Sequence, residues 1–264
     1  ARPNFMKIAP LIKAIQNARA AGRDVNYRLL HTGQHYDKNM SDTFFEELGI
    51  PMPDVNLGCG GGTQAEQTAN IMVAFEKELM AYPTDLVLVV GDVTSTMACS
   101  ILAKKLNTKV CHVEAGIRSW DQTMPEEINR MVTDALADYM FTTSEVANKN
   151  LVLSGCSLEN GASAYSLDFR GGENSVAETQ DSRLPEEGYT FERVKQRVWY
   201  VGNVMIDTLL ANRSRFRKPE VYDALGLEEK QYIVMTMHRP ANVDEEAHLK
   251  ALMEQIITNV HGLP

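Results

Sequence analysis

Residues 85–134 read DLVLVVGDVTSTMACSILAKKLNTKVCHVEAGIRSWDQTMPEEINRMVTD, and the fold class follows from this stretch. Two apolar runs rich in β-branched residues, Leu86 to Val90 and Lys109 to Val113, are joined by a segment whose apolar residues Met97, Ile101, Leu102 and Leu106 fall at helical spacing. Runs that are apolar without alternation read as strands covered on both faces, and a helix between two of them makes a βαβ unit with parallel strands. Each run ends in a carboxylate, the first at Gly91-Asp92 and the second at Glu114. Ligands of open parallel sheets sit beyond the carboxyl ends of the strands. Asp92 and Glu114 are therefore expected to project into one crevice, and the Met-Pro-Glu-Glu-Ile-Asn-Arg turn at 124–130 can close over it.

Outward from this unit, helix and strand patterns alternate, which predicts a doubly wound α/β layer architecture. Upstream come a helix through Ile8, Leu11, Ile12 and Ile15 and a short strand at Tyr27 to Leu30 ending in His31-Thr32-Gly33-Gln34-His35. A helix with Met40, Phe44, Phe45 and Leu48 on one face follows, then a strand at Val55 to Leu57, a glycine-rich loop at 58–62 and a helix from about Thr63 to Met80. Downstream lie a strand at Tyr139 to Thr142 and a helix from Ser144 to about Ser154. Residues from about 155 to 193 are rich in Gly, Ser, Asn and Glu and show no period, so they read as a long surface insertion. Val198 to Val201 resumes the sheet. The next helix, carrying Val204, Ile206, Leu209 and Leu210, ends in the basic cluster Arg213, Arg215, Arg217 and Lys218, a favourable place for cations.

A strand at Tyr232 to Thr236 and a helix from Glu245 to His261 complete the pattern. One strand and one helix cannot bury a sheet, so a second domain is expected to begin here without being completed. The doubly wound order also places a first strand at the sheet centre, and none precedes Ala1. The expectation is a fragment: a first Rossmann-like domain over 1–202 with its insertion, then 203–264 as linker helix and start of a second. Its unpaired sheet edges should leave it poorly soluble or inactive alone.

The 264 residues, 44% of them hydrophobic, allow a sizeable core in one large domain or two smaller ones. A formal charge of −9 argues against a nucleic-acid groove, because phosphate backbones need a basic footprint. No run reaches the roughly 18 consecutive apolar residues of a membrane helix, and no signal-peptide pattern is present. Cys59, Cys99, Cys111 and Cys156 are scattered without C-x-x-C spacing, a usage that suits reduced thiols in a cytoplasm.

Arg2 and Lys7 bracket the first turn of the first helix, where positive charge opposes the helix dipole. A bound phosphate would reconcile the two, and solvated bases at a helix end are the plain alternative. Asp92, taken by itself, sits where an N-cap belongs, and capping is the better reading of it alone. Glu114 ends an apolar strand, and Ala115-Gly116 lets a ligand approach the backbone. Glu126 fits a capping box with Thr123, with Pro125 at the helix start and Arg130 one turn on for an ion pair. Three acids converging on one crevice favour chemistry, because neighbouring carboxylates push their proton affinities apart and yield an acid and a base. His238 follows a strand in Met-His-Arg-Pro. His31 and His35 are four apart, but Gly33 puts them in a turn, which disfavours a metal pair. No G-x-G-x-x-G fingerprint, P-loop or serine elbow is present.

The motifs occur in a characteristic order: Arg2-Pro3-x-x-x-Lys7-x-Ala9-Pro10-Leu11, Thr32-Gly33-Gln34-His35, Gly91-Asp92, His112-Val113-Glu114-Ala115-Gly116-x-Arg118, Pro125-Glu126-Glu127-x-Asn129-Arg130, Val201-Gly202-Asn203-x-x-Ile206-Asp207 and His238-Arg239. In this the chain resembles the non-hydrolysing UDP-N-acetylglucosamine 2-epimerases. The resemblance implies two Rossmann-like domains in a glycosyltransferase-B arrangement, a UDP-sugar in the cleft, a homodimer in the cytoplasm, and neither metal nor cofactor. It assigns catalysis to Asp92, Glu114, Glu126 and His238. Substrate binding falls to Arg2, Lys7, Arg118, Arg130 and Arg239, with Gln34 and His35 near the sugar or an adjoining regulatory UDP-sugar site. The implied reaction interconverts UDP-N-acetylglucosamine and UDP-N-acetylmannosamine for bacterial surface polysaccharide. Asn4 stands where many members have glutamate, and Pro240-Ala241 departs from the usual x-Glu. A hydrolysing relative, a glycosyltransferase and a UDP-sugar sensor are the alternatives.

Overall fold

The computed structural model of the chain describes residues 2–33, 45–156, 158–160, 196–237 and 243–260, with residues 2, 3 and 158–160 described by backbone alone. Of the residues expected to bind or react, Gln34, His35, His238 and Arg239 and the side chain of Arg2 lie outside this description. So do most of the expected helix at Met40 to Leu48 and residues 161–195 of the expected insertion.

The expected βαβ unit is present as β3 (Leu86–Val90), α3 (Thr94–Lys105) and β4 (Lys109–Ala115). With β5 (Tyr139–Thr142), β6 (Leu158–Asn160) and β7 (Gln196–Tyr200) these strands form a five-stranded sheet in the order β3-β4-β5-β7-β6. Every pairing in it is parallel. Strand β6 corrects the reading of 155–193 as uniformly patternless, because three polar-flanked residues pair with β7 and carry no apolar period of their own. The burial of β4 explains its sequence: Val110 joins the core formed by Val87, Val89, Met140, Val198 and the helices α2 (Gln64–Ala81) and α3, whereas Cys111 and Val113 join Val90 on the opposite face. Both faces are covered, as a continuous apolar run requires.

Helix α1 (Arg2–Ala20) places Phe5 and Ile12 in a further apolar cluster with Phe45 and Ile50. Strands β1 (Leu30–His31) and β2 (Val55–Asn56) pair in parallel as a separate sheet. A cavity of about 530 Å³ separates that sheet from β3, lined by Tyr27, Leu29, Leu86, Leu88 and the α1 residues Phe5 and Ile8. Helix α4 (Pro125–Leu136) packs on α3, and α5 (Glu145–Leu153) on β5 and β7. Thr208 of α6 (Val204–Asn212) ties that helix to α1 by donating to the Met6 carbonyl at 2.5 Å.

The chain divides into compact units at Ala1–Ala211 and Asn212–Pro264. The second contains α7 (Glu220–Ala224) and α8 (Glu246–Asn259). Tyr232 to Thr236, expected as a strand, is not one: it has no ladder partner among the described residues, and Ile233, Val234 and Met235 are exposed. β-branched composition without a neighbouring edge is insufficient to make a sheet. No helix among the described residues is long and apolar enough to cross a membrane.

Candidate active site

The loop after β3, the end of β4 and the first turns of α1 and α4 meet at the carboxyl end of the five-stranded sheet. Gly91 turns the chain out of β3 with a φ of 71°, a conformation that glycine adopts without a steric penalty. Asn4 of α1 reaches across to donate to the Val90 carbonyl at 2.9 Å. A Cβ at Gly91 would lie 2.9 Å from Asn4 Oδ1 and 3.2 Å from Lys7 Nζ, so α1 presses directly on this turn.

Glu114 is a bulge residue. Val113 pairs with Phe141 and Ala115 with Thr142, so β4 fits an extra residue opposite one step of β5. Its φ of 71° is unusual for a residue with a side chain and costs of order 1 kcal/mol or more. Bulges re-aim side chains, and here the carboxylate meets Lys7, with both side chains only 10% exposed. The Lys7 side chain is thus committed to Glu114 rather than left as a solvated base.

Asp92 is not an N-cap. Helix α3 begins at Thr94 with Val93 at the cap position and no side-chain cap bond, whereas the Asp92 carboxylate pairs with Arg130 of α4. Asn129 donates to the Asp92 carbonyl at 2.9 Å, so α4 grips this residue by side chain and backbone together. The expected capping box is likewise absent, because α4 has Met124 at its cap with no side-chain bond, and Thr123 bonds to Asp121 instead. Glu126 is exposed at the start of α4. The ion pair expected between Glu126 and Arg130 is made by the neighbouring Glu127, whose Oε2 accepts from Arg130 at 2.9 Å.

Glu127, fully buried, also accepts from the Ser119 amide at 3.0 Å, the Ser119 hydroxyl at 3.1 Å and the Trp120 amide at 3.1 Å. Burial raises its proton affinity, but these donors and Arg130 outweigh it and hold the carboxyl below its ordinary range. The same balance acts on Arg130, where burial is outweighed by Glu127 and Asp92 and the guanidinium is held above its ordinary value.

Beneath the two strand ends lies a second buried network. Asp134 of α4 meets His112 Nδ1 at 2.6 Å, the Gly116 amide at 3.1 Å and Arg118 Nη1 at 2.6 Å. The other ring nitrogen, His112 Nε2, is 2.9 Å from the Gly91 carbonyl. Burial works against the charge on Asp134, yet His112 and Arg118 prevail and keep the carboxyl below its ordinary range. The Arg118 side chain is fully buried against Asp134, and its Nε and Nη2 find no partner among the described residues. Arg118 is therefore turned into the protein and away from the group formed by Asp92, Glu114, Lys7 and Arg130.

The arrangement brings two carboxylates, each with a cation, to the ends of adjacent strands. Such a set can bind an anionic group through Lys7 and Arg130 and offer carboxylate oxygens for proton transfer. The cysteines are not part of it: burial pushes the thiols of Cys99 and Cys111 up to about 12 and that of Cys156 to about 11. Glu127, His112, Asn129 and Asp134 were not singled out as site residues from the sequence. Their signals are a histidine inside an apolar strand and a polar stripe, Glu127, Arg130 and Asp134, at helical spacing.

The sequence model of one family, described as UDP-N-acetylglucosamine 2-epimerase, matches residues 17–160 and 175–262. The UDP-N-acetylglucosamine 2-epimerase of Methanocaldococcus jannaschii is 32% identical over 97% of this chain and 59% of its own length. A UDP-2,3-diacetamido-2,3-dideoxy-D-glucuronate 2-epimerase of Pseudomonas aeruginosa is 34% identical over 97% of this chain and 60% of its own. The crystal structure of the M. jannaschii protein in complex with UDP-GlcNAc and UDP superposes with a TM-score of 0.71 at 33% identity, covering 97% of this chain and 60% of that one. The chain thus spans about 60% of the length of these relatives.

Proposed function

Because the chain belongs to the UDP-N-acetylglucosamine 2-epimerase family, we propose that the full-length protein interconverts UDP-N-acetylglucosamine and UDP-N-acetylmannosamine. The observation that carries this reading is the convergence of Asp92 and Glu114, each held against a cation, at the ends of two adjacent parallel strands.

The reaction inverts a carbon whose hydrogen is not acidic, since C2 is not next to a carbonyl. Elimination solves that problem. A base takes the C2 proton while the C1–O bond to UDP breaks with its electron pair, leaving a 2-acetamido glycal and UDP. Protonation of C2 on the other face, with return of the diphosphate oxygen to C1, gives the epimer. The steps require cations for the departing diphosphate, a base, an acid on the opposite face, and negative charge beside an oxocarbenium-like carbon. In this proposal Lys7, Arg130 and Arg2 serve the diphosphate. Asp92, Glu114 and Glu126, with His238 from the second unit, supply proton transfer and charge. Gln34, His35 and Arg239 complete the sugar and nucleotide contacts, and Arg118 acts through Asp134 without touching the ligand. The protein would work in the cytoplasm as a homodimer, within a two-domain glycosyltransferase-B arrangement, and feed surface polysaccharide synthesis.

A second substrate has specific support. The P. aeruginosa relative, named for UDP-2,3-diacetamido-2,3-dideoxy-D-glucuronate, is as similar to this chain as the M. jannaschii enzyme. Both sugars would epimerise at C2 by the same steps. Incubating the full-length protein separately with each UDP-sugar and identifying the products decides between them. UDP-N-acetylmannosamine is the expected product. Turnover of the diacetamido sugar alone would move the assignment, free UDP with free sugar would make the protein a hydrolase, and binding without turnover would make it a sensor.

A further inference from the structure

We propose that the buried His112–Asp134 pair is a positioning device that sets both candidate catalytic carboxylates at once; the kinetic part of this inference rests on the epimerase reading above. Asp134 uses its two oxygens on either side of Glu114. Oδ1 meets the ring of His112, two residues before it, and Oδ2 receives the amide of Gly116, two residues after it, together with Arg118. The bulge that aims Glu114 is thus held at both ends by one carboxylate, and Glu114 itself keeps a left-handed backbone that a free chain would leave.

The same device reaches Asp92. His112 Nε2 faces the Gly91 carbonyl at 2.9 Å, so the ring bridges α4 to the peptide immediately before Asp92. Both ring nitrogens face acceptor oxygens, Asp134 Oδ1 on one side and the Gly91 carbonyl on the other. His112, Asp134 and Thr133 beside them are fully buried, so water cannot substitute for these bonds. The pair touches no open surface and would not contact a substrate. Its effect runs through Gly91 to Asp92 and through Gly116 to Glu114.

The two bonds of the ring can be separated. In the full-length protein, His112→Asn leaves an amide nitrogen near the former Nδ1, able to serve Asp134 but not Gly91. His112→Gln places its amide nitrogen near the former Nε2, able to serve Gly91. The expected result for His112→Asn is a kcat lowered about 10- to 100-fold, the scale of a misplaced reacting group, with KM within about threefold and a crystal structure in which the Gly91 peptide and the Asp92–Arg130 pair have shifted. His112→Gln should return the Gly91 peptide and the Asp92–Arg130 pair to their places while the Glu114 end of the bulge, which has lost its ring contact with Asp134, shifts and keeps kcat below wild type. An unmoved Gly91–Asp92 loop in the His112→Asn crystal overturns the proposal whatever the activity. So does loss of kcat in both variants merely in proportion to the fraction unfolded, measured by thermal melts. An inactive wild type with the loop displaced in His112→Asn would instead remove the epimerase reading and leave the positioning intact.

Discussion

Glu126 and Glu127 are adjacent in one motif, yet the backbone of α4 sends them to opposite environments. Glu127 is buried beneath the 119–120 turn, and Glu126 faces solvent. Replacing Glu127 by Gln removes a charged acceptor from Arg130 and from buried donors, which should cost about 2–4 kcal/mol of stability. Glu126→Gln should leave the free energy of unfolding measured in urea within about 0.5 kcal/mol of wild type, as for an exposed position, while lowering turnover by roughly two orders of magnitude through its part in proton transfer. Melts and steady-state rates of the two variants in the full-length protein check the division, and a Glu126→Gln that keeps full turnover would assign its role elsewhere. The sequence makes the acids visible without revealing this split. An acid after a strand, such as Asp92, looks the same as a cap until the helix start is known, and that start lies two residues further on at Thr94.

Among the elements, the central strands were the most legible, because β3, β4 and β5 carry continuous apolar runs and occupy the ranges their composition indicates. Helix α4 was less so. It buries Glu127, Asn129, Thr133 and Asp134 and leaves Ile128 nearly half exposed, so an apolar stripe does not mark its inward face. A helix that turns polar residues inward does so to supply bonds to strand ends and loops, and in this protein it serves Asp92, Gly116 and Ser119. Strand β6 and the irregular Tyr232 to Thr236 depend on whether a partner edge is nearby, which composition does not encode. The turn after β4 offers a direct test. At Gly116 the φ is 79° and a Cβ would lie 2.3 Å from the Ala147 carbonyl oxygen. Gly116→Ala should therefore destabilise by about 2 kcal/mol or more through overpacking and backbone strain. A melting temperature equal to wild type would show that α5 yields more easily than this packing suggests.

For the molecule as a whole, family membership and the parallel α/β architecture rest on sequence similarity and on the sheet itself. The chain spans about 60% of its relatives, and the residues proposed to act from the second unit, His238 and Arg239, are outside the described structure. The order of motifs made the family legible. Their geometry was not, since Arg118 faces Asp134 and Lys7 lies paired with Glu114. The central claim is that C2 exchanges its hydrogen with the protein as UDP leaves and returns. Full-length protein is incubated with UDP-N-acetylglucosamine in deuterium oxide, and the C2 signal and its coupling to C1 are followed by proton NMR. The account predicts UDP-N-acetylmannosamine carrying deuterium at C2, because the abstracted proton passes to a side chain that exchanges with solvent and the returning one comes from a different group. Epimerised product that still carries protium at C2 would contradict it.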